Sequence, residues 1–191
     1  PILTMDKKFR KIIKPTNGWL LELDYNAAEL RVMLGLLGVE QPRIDLHEHN
    51  VTKIFKNKID REQAKKRIFS WLYNPNSEDR QLSRVYDRES LVKRFWDGNY
   101  VKTTYKRQIP SDEYHALNYI LQSTCSDLIL EKAIIFSEML KGKKTKIAFI
   151  IHDSIVLDYS EEDGDFINDI YWEFQDTPFG RFRTNVSGGR N

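Results

Sequence analysis

The chain has 191 residues, 40% of them hydrophobic and 12% aromatic, with a formal net charge of +2. This length and apolar content suffice for one domain with a real core, or two subdomains sharing one, and exclude an intrinsically disordered chain. The lone Cys125 excludes an internal disulfide framework, and no apolar run approaches membrane-spanning length.

A single cysteine and no signal-peptide pattern make a cytoplasmic protein the expectation, with no membrane partner. The chain begins at Pro1 rather than Met, which suggests a processed piece of something longer. The cations fall in groups: Lys7, Lys8, Arg10, Lys11 and Lys14; Arg61, Lys65, Lys66 and Arg67; Lys141, Lys143, Lys144 and Lys146. Basic patches on a nearly neutral protein suit a polyanion contacted at defined places, although a single cluster is commonly solvated surface.

In chain order, a basic extended segment ends at Pro15 with a turn at Thr16-Asn17-Gly18, and 19–24 (WLLELD) reads as a strand. Ala27 to Leu37 reads as a helix stopped by Gly38, so Asp24 lies where a strand hands over to a helix. Asp45 is a fair cap for a helix reaching about Phe55, and Asp60 caps one from Arg61 to Tyr73 that Asn74-Pro75 ends. The polar stretch 74–83 (NPNSEDRQLS) reads as an exposed loop. A short helix spans about Asp87 to Trp96, and a hairpin is expected from Tyr100 to Ile109. Ser111 or Asp112 opens a long helix to about Leu140, closed by Gly142.

Two apolar strands, 147–151 and 155–159, then flank His152-Asp153-Ser154 and read as parts of a mostly buried sheet. An acidic helix from about Glu161 to Phe174 and a last strand at 182–186 complete an α+β protein.

A carboxylate between buried strands pays desolvation unless a partner or a metal ion neutralises it, so Asp153 is a metal-ligand candidate, although turn acids are common. Asp24 also ends an apolar strand, and neighbouring strands could bring the two carboxylates to one point. Two acids sharing a pair of divalent ions suit in-line phosphoryl displacement, and oxygen ligands favour Mg²⁺ or Mn²⁺. Two unrelated surface acids are the alternative. Arg61, Lys65, Phe69 and Tyr73 recur at steps of four, offering cations and then flat rings along one helical stripe, which is the layout of a nucleoside triphosphate. A plain amphipathic helix with its aromatics in the core would show the same period.

Asp24 to Arg31 (DYNAAELR) resembles the DYSQIELR motif of family A DNA polymerases, the bacterial polymerase I type that many phages also use. Arg61, Lys65, Phe69 and Tyr73 resemble the family's RxxxKxxxFxxxYG helix, and His152-Asp153 its HDE motif, all in the family's order. Asp45-Leu46-His47 is similar to its DIH, Asn118 to Asp127 (NYILQSTCSD) to its NAPMQGTAAD helix, and Val101 to Arg107 to its VxTxxGR hairpin. The resemblance runs from about residue 9 to the C-terminal Gly188-Gly189-Arg190-Asn191. It implies an antiparallel palm sheet with long helices and a reduced helical fingers subdomain: palm at 1–38 and 111–191, fingers at 39–110.

The implied activity is template-directed DNA synthesis, adding deoxynucleotides to a primer 3′ end. Asp24 and Asp153 would hold two Mg²⁺ ions, or Mn²⁺, helped by the backbone carbonyl of Tyr25. Arg61, Lys65 and His47 would hold the triphosphate, and Lys65 would protonate the leaving pyrophosphate. Glu29 would block a ribose 2′-hydroxyl, Phe69 pack on the sugar, and Tyr73 line the nascent base pair. Asn118 and Gln122 would touch the minor groove of the primer-template, with His152 and Arg107 as further DNA contacts, while Arg31 serves structure.

The resemblance also implies an upstream polypeptide or separate chain supplying a thumb and an exonuclease, and host cytoplasm if the source is a phage. The sequence departs from the family at Ala27, Ala28, Asn74 and Ser154, where the motifs have Gln, Ile, Gly and Glu; this bears on fidelity and the primer-end contact. Two other classes fit less well. A non-catalytic DNA-binding subunit has no need of both metal acids, and a two-metal nuclease has no need of the stripe at 61–73.

Overall fold

The structure, a computed structural model, describes residues 12–189. Lys7, Lys8, Arg10 and Lys11, the expected apolar edge at Ile2, Leu3 and Phe9, and Arg190 and Asn191 lie outside the described residues. In chain order the elements are β1 (Trp19–Tyr25), α1 (Ala28–Leu36), α2 (Leu46–Lys53), α3 (Arg61–Tyr73), α4 (Arg80–Ser83), α5 (Arg88–Phe95), β2 (Tyr100–Lys102), β3 (Gln108–Pro110), α6 (Glu113–Met139), β4 (Lys146–Ile151), β5 (Ser154–Tyr159), α7 (Phe166–Gln175), β6 (Asp176–Thr177), β7 (Gly180–Arg181) and β8 (Thr184–Gly189). This is an α+β fold with antiparallel sheets. Among the described residues no helix is long and apolar enough to cross a membrane.

The chain divides into two compact units, one of Pro1–Asn26, Ser126–Thr177 and Arg183–Asn191, the other of Ala27–Cys125 and Pro178–Phe182. The first is built on a four-stranded sheet in the order β4-β5-β1-β8. Strand alternation sends Leu23 and Tyr25 of β1 into the core and leaves Glu22 and Asp24 on the opposite, half-buried face. The Tyr25 ring stacks on Phe174 of α7 at 4.1 Å, and its hydroxyl donates to the Phe174 carbonyl at 2.6 Å. Phe136 of α6 lies 5.9 Å from the same ring, so one phenylalanine joins sheet and helices. Each fully buried side chain of this kind contributes about 1.5–3 kcal/mol. The buried ammonium of Lys132 donates to the Glu173 carboxylate at 2.6 Å and the Glu173 carbonyl at 2.7 Å, which satisfies a charge that would otherwise be costly there.

The second unit packs α1 to α5, the β2–β3 hairpin and the first part of α6. Asp45 caps α2 through the Glu48 amide, and Asp60 with Gln63 forms a reciprocal capping box on α3, as their positions predict. Arg31 is fully buried and donates to the carbonyls of Pro42 and Ile44, both at 2.9 Å, so it organises the loop after α1. Asn50 and Tyr86 exchange hydrogen bonds of 2.8 and 3.0 Å in the core, where burial pushes the phenol up to about 12.

Four expectations are corrected. The stretch 74–83 is not all loop, because Asp79 caps the helical turn α4 and Leu82 buries itself. The acidic helix is broken at Gly164 (φ 59), leaving a 3₁₀ turn at Glu161–Asp163 before α7. The last strand lies at Thr184–Gly189 rather than 182–186. Finally, β4 is not a buried strand. It forms the sheet edge with a bulge between Ile147 and Phe149, and its apolar residues are mostly only half covered, whereas β5 is buried from Ser154 to Leu157.

Candidate active site

In the first unit, β5 pairs antiparallel with β1 so that Ser154 stands opposite Asp24, and Asp153 sits in the two-residue turn just before it. With no glycine available, His152 takes the left-handed conformation at φ 51 to close this turn, and its side chain is exposed. Asp24 and Asp153 are thereby brought together although far apart in sequence. Burial, then the nearby charge of Asp153, push the Asp24 carboxyl up to about 6; the Glu22 charge adds to this and a 3.4 Å hydrogen bond from Asn185 opposes it. Burial, and then the Glu22 charge, raise Asp153, against its own amide and His152.

Among the described residues, neither acid pairs with a lysine or arginine. Two half-buried carboxylates that repel each other are a site short of positive charge. Their oxygen-only donors fit Mg²⁺ or Mn²⁺. Among the described residues no three His, Cys, Asp or Glu side chains converge as a ready-made metal cage, so the two acids alone would be the direct carboxylate ligands. The Tyr25 side chain points into the core, leaving only its main chain for such a site.

In the second unit, α3 buries Ala64, Ile68, Trp71 and Leu72, while Arg61, Phe69 and Tyr73 are half-buried and Lys65 is exposed. The stripe is therefore a face separate from the core face, which disfavours an ordinary amphipathic helix with its aromatics inside. Phe69 and Tyr73 stack at 5.8 Å, and His47 lies 6.0 Å from Phe69. Burial lowers the His47 pKa, and the charges of Arg61 and Lys65 lower it further against that of Asp45; its Nδ1 is buried with no partner among the described residues. Arg61 is held by the Asp45 carboxylate through Nε at 3.2 Å and Nη2 at 2.9 Å, and by Glu62 at 3.0 Å. Lys65 forms no ion pair among the described residues. The Tyr73 hydroxyl donates to the Glu29 carboxylate at the start of α1.

Along α6, Asn118 is half-buried with its Oδ1 unpartnered among the described residues, and Gln122 is exposed. Asn118 and Tyr73 line an open cleft of about 490 Å³ with Trp96 and Tyr114. Exposed Arg107 ends the turn between β2 and β3, next to Lys106, which takes φ 63 where the resembling hairpin has glycine, and donates to the Ser123 carbonyl at 3.4 Å. Sequence reasoning missed Glu22, Asn185 and Ser187 around the acids; the two-residue period of β1 was the available signal for Glu22. It also missed Arg88, which stacks on Trp71 at 4.6 Å and donates to four carbonyls of 71–77, because such a role depends on where a loop folds back.

No family model matches the sequence, and no curated protein matches it. Among solved structures, the fold is similar to the POL domain of Pol1 from M. smegmatis in complex with DNA primer-template and dNTP, with a TM-score of 0.72 and 17% identity. The match covers 93% of this chain and 41% of that one, so the chain spans about two fifths of that protein's length.

Proposed function

We propose that the chain is the palm and fingers of a family A-like DNA polymerase that adds deoxynucleotides to a primer 3′ end. The observation that carries this reading is the division of labour between the units. One holds two mutually repelling carboxylates that lack a basic partner among the described residues, and the other displays cations and stacked rings on a helical face it does not need for its core. The shared fold with a polymerase domain supports it.

Asp24 and Asp153 would hold the divalent ions, with the carbonyl of Tyr25. When bound, such ions supply the positive charge that phosphoryl transfer needs at the attacking and leaving oxygens. Lys65, Arg61 and His47 neutralise the triphosphate, and Lys65, exposed and without an ion pair among the described residues, is the group that delivers a proton to pyrophosphate. Phe69 and Tyr73 offer faces to sugar and base. Gln122, Asn118, Arg107 and His152 contact the primer-template, the first two through minor-groove acceptors common to all base pairs.

Primer extension with Mg²⁺ tests the reading, with Lys65→Ala and Arg61→Ala as probes. Lys65→Ala is expected to lower the rate about a hundredfold or more, the scale of a lost proton donor. Arg61→Ala is expected to cost less, about tenfold in nucleotide affinity, because in the free protein the guanidinium already has Asp45 and a phosphate gains only the difference. Unchanged rate and affinity in both variants would reduce the stripe to ordinary surface.

Glu29→Ala is expected to raise ribonucleotide relative to deoxynucleotide incorporation by at least about tenfold, since truncation removes a steric barrier. The same change leaves the Tyr73 hydroxyl without its acceptor, so deoxynucleotide incorporation should also weaken. Competition between the two nucleotide types reads both effects, and an unaltered ratio would refute the gate.

A further inference from the structure

Glu22 and Asp24 lie on the same face of β1, two residues apart. On one side the Ser154 hydroxyl donates to Glu22 Oε1 at 2.8 Å, and the same oxygen of Ser154 lies 2.9 Å from the Ile151 carbonyl, so it ties Glu22 to the turn that carries Asp153. On the other side Ser187 of β8, directly opposite Glu22, donates to Oε2 at 3.3 Å. Both carboxylate oxygens are thus held by neutral hydroxyls, and Glu22 forms no ion pair among the described residues. Its charge reaches both Asp24 and Asp153.

A carboxylate with no catalytic task would be an odd resident of a face already overloaded with negative charge, since like charges at such separations are destabilising. Ser154, its hydrogen-bond partner, stands at the position where the resembling HDE motif has Glu. We propose that Glu22 is the third negative charge of the divalent-ion site, a positioning residue that attracts and orients the hydrated ions held by Asp24 and Asp153, and that Ser154 and Ser187 fix its direction. The carboxylate has in effect moved from β5 to the neighbouring strand. Among the described residues no three such side chains could together hold a metal ion, so Glu22 would contribute its charge to the site rather than serve as a direct ligand. This inference rests on the metal-dependent reading of Asp24 and Asp153.

Mn²⁺ binding to the protein without nucleotide or DNA, followed by the loss of the free-ion paramagnetic resonance signal, separates the two ideas. The variants are Glu22→Gln, which keeps shape and removes charge, Asp24→Asn, and the exchange of Glu22→Ser with Ser154→Glu in one protein. Glu22→Gln is expected to bind Mn²⁺ about tenfold more weakly, Asp24→Asn more weakly still, and the exchange to recover most of the affinity by returning the carboxylate to β5. Thermal unfolding of Glu22→Gln should show a protein as stable as the parent or slightly more so. Unchanged Mn²⁺ affinity in Glu22→Gln, with binding lost in Asp24→Asn, would overturn the role of Glu22 and leave the metal site standing. Equal affinity in all variants, or no saturable binding by the parent, would remove the metal site and this inference together.

Discussion

Asp24→Asn is expected to abolish primer extension and, at neutral pH without divalent ions, to make the folded chain more stable. Loss of a side chain that merely hydrogen-bonds to a metal ligand commonly costs ten- to a hundredfold, so replacing one of two ligands should cost about a thousandfold or more. The stability gain follows from the raised pKa. Asp24 titrates at about 6 in the folded chain and near the ordinary carboxyl value of 3.8 when unfolded, so the folded state binds the proton more tightly. The favourable contribution is complete below about 3.8 and disappears as the pH rises through about 6, leaving an ionised, poorly solvated carboxylate at neutral pH. A shift of that size corresponds to about 3 kcal/mol, which solvent screening of a half-exposed group reduces to about 1–2 kcal/mol. Thermal unfolding should show the variant melting about 2–8 °C higher than the parent at pH 7.5 and nearly level with it at pH 4. A variant destabilised equally at both pH values, or one that still extends primers well, would contradict the assignment.

Gly35→Ala is expected to destabilise the protein by about 3 kcal/mol or more, against the roughly 1 kcal/mol gain that alanine normally brings to a helix interior. A Cβ at Gly35 would stand 2.4 Å from Phe179 Cβ, 2.7 Å from its carbonyl oxygen and 2.9 Å from its Cα, so main chain as well as side chain must move. That main chain is pinned, because Gln41 Nε2 donates to the Phe179 carbonyl at 2.9 Å and to the Arg31 carbonyl at 2.8 Å. A fall in melting temperature of about 6–12 °C would report the clash. A neutral or stabilising outcome would mean that α1 and the segment around Phe179 do not approach this closely.

Elements whose signals are local could be read from the sequence. Asp60 with Gln63, the alternation of β1, and the long apolar and polar pattern of α6 each contain their own explanation, and they place Asp24, Lys65 and Gln122 on the right kinds of element. Elements imposed by tertiary pairing could not. Gly188 and Gly189 have no strand preference, yet they pair with Leu21 and Leu20 and carry β8 beyond its expected end. The apolar run of β4 gave no hint that one of its edges would stay open. The same distinction holds at the acids: Asp24 and Asp153 stood out as strand-terminal carboxylates, but Ser187 and Asn185 became neighbours only through the return of β8.

That return also sets the order in which the chain can be assembled. β1 occupies an interior position in its sheet, and both of its partners are made much later: 132 residues separate Glu22 from Ser154 and 165 separate it from Ser187. At ~5–20 residues per second on a ribosome, the apolar WLLELDY segment waits about 7–30 s for β5 and longer for β8. Neither edge of β1 can be closed by a local hairpin, so loop-closure entropy must be spent before any pairing returns it. In that interval the strand is a free template for another chain, and holdase chaperones would have their natural substrate there. The carboxylates destined to face each other therefore remain apart, and harmless to one another, until β5 has been made.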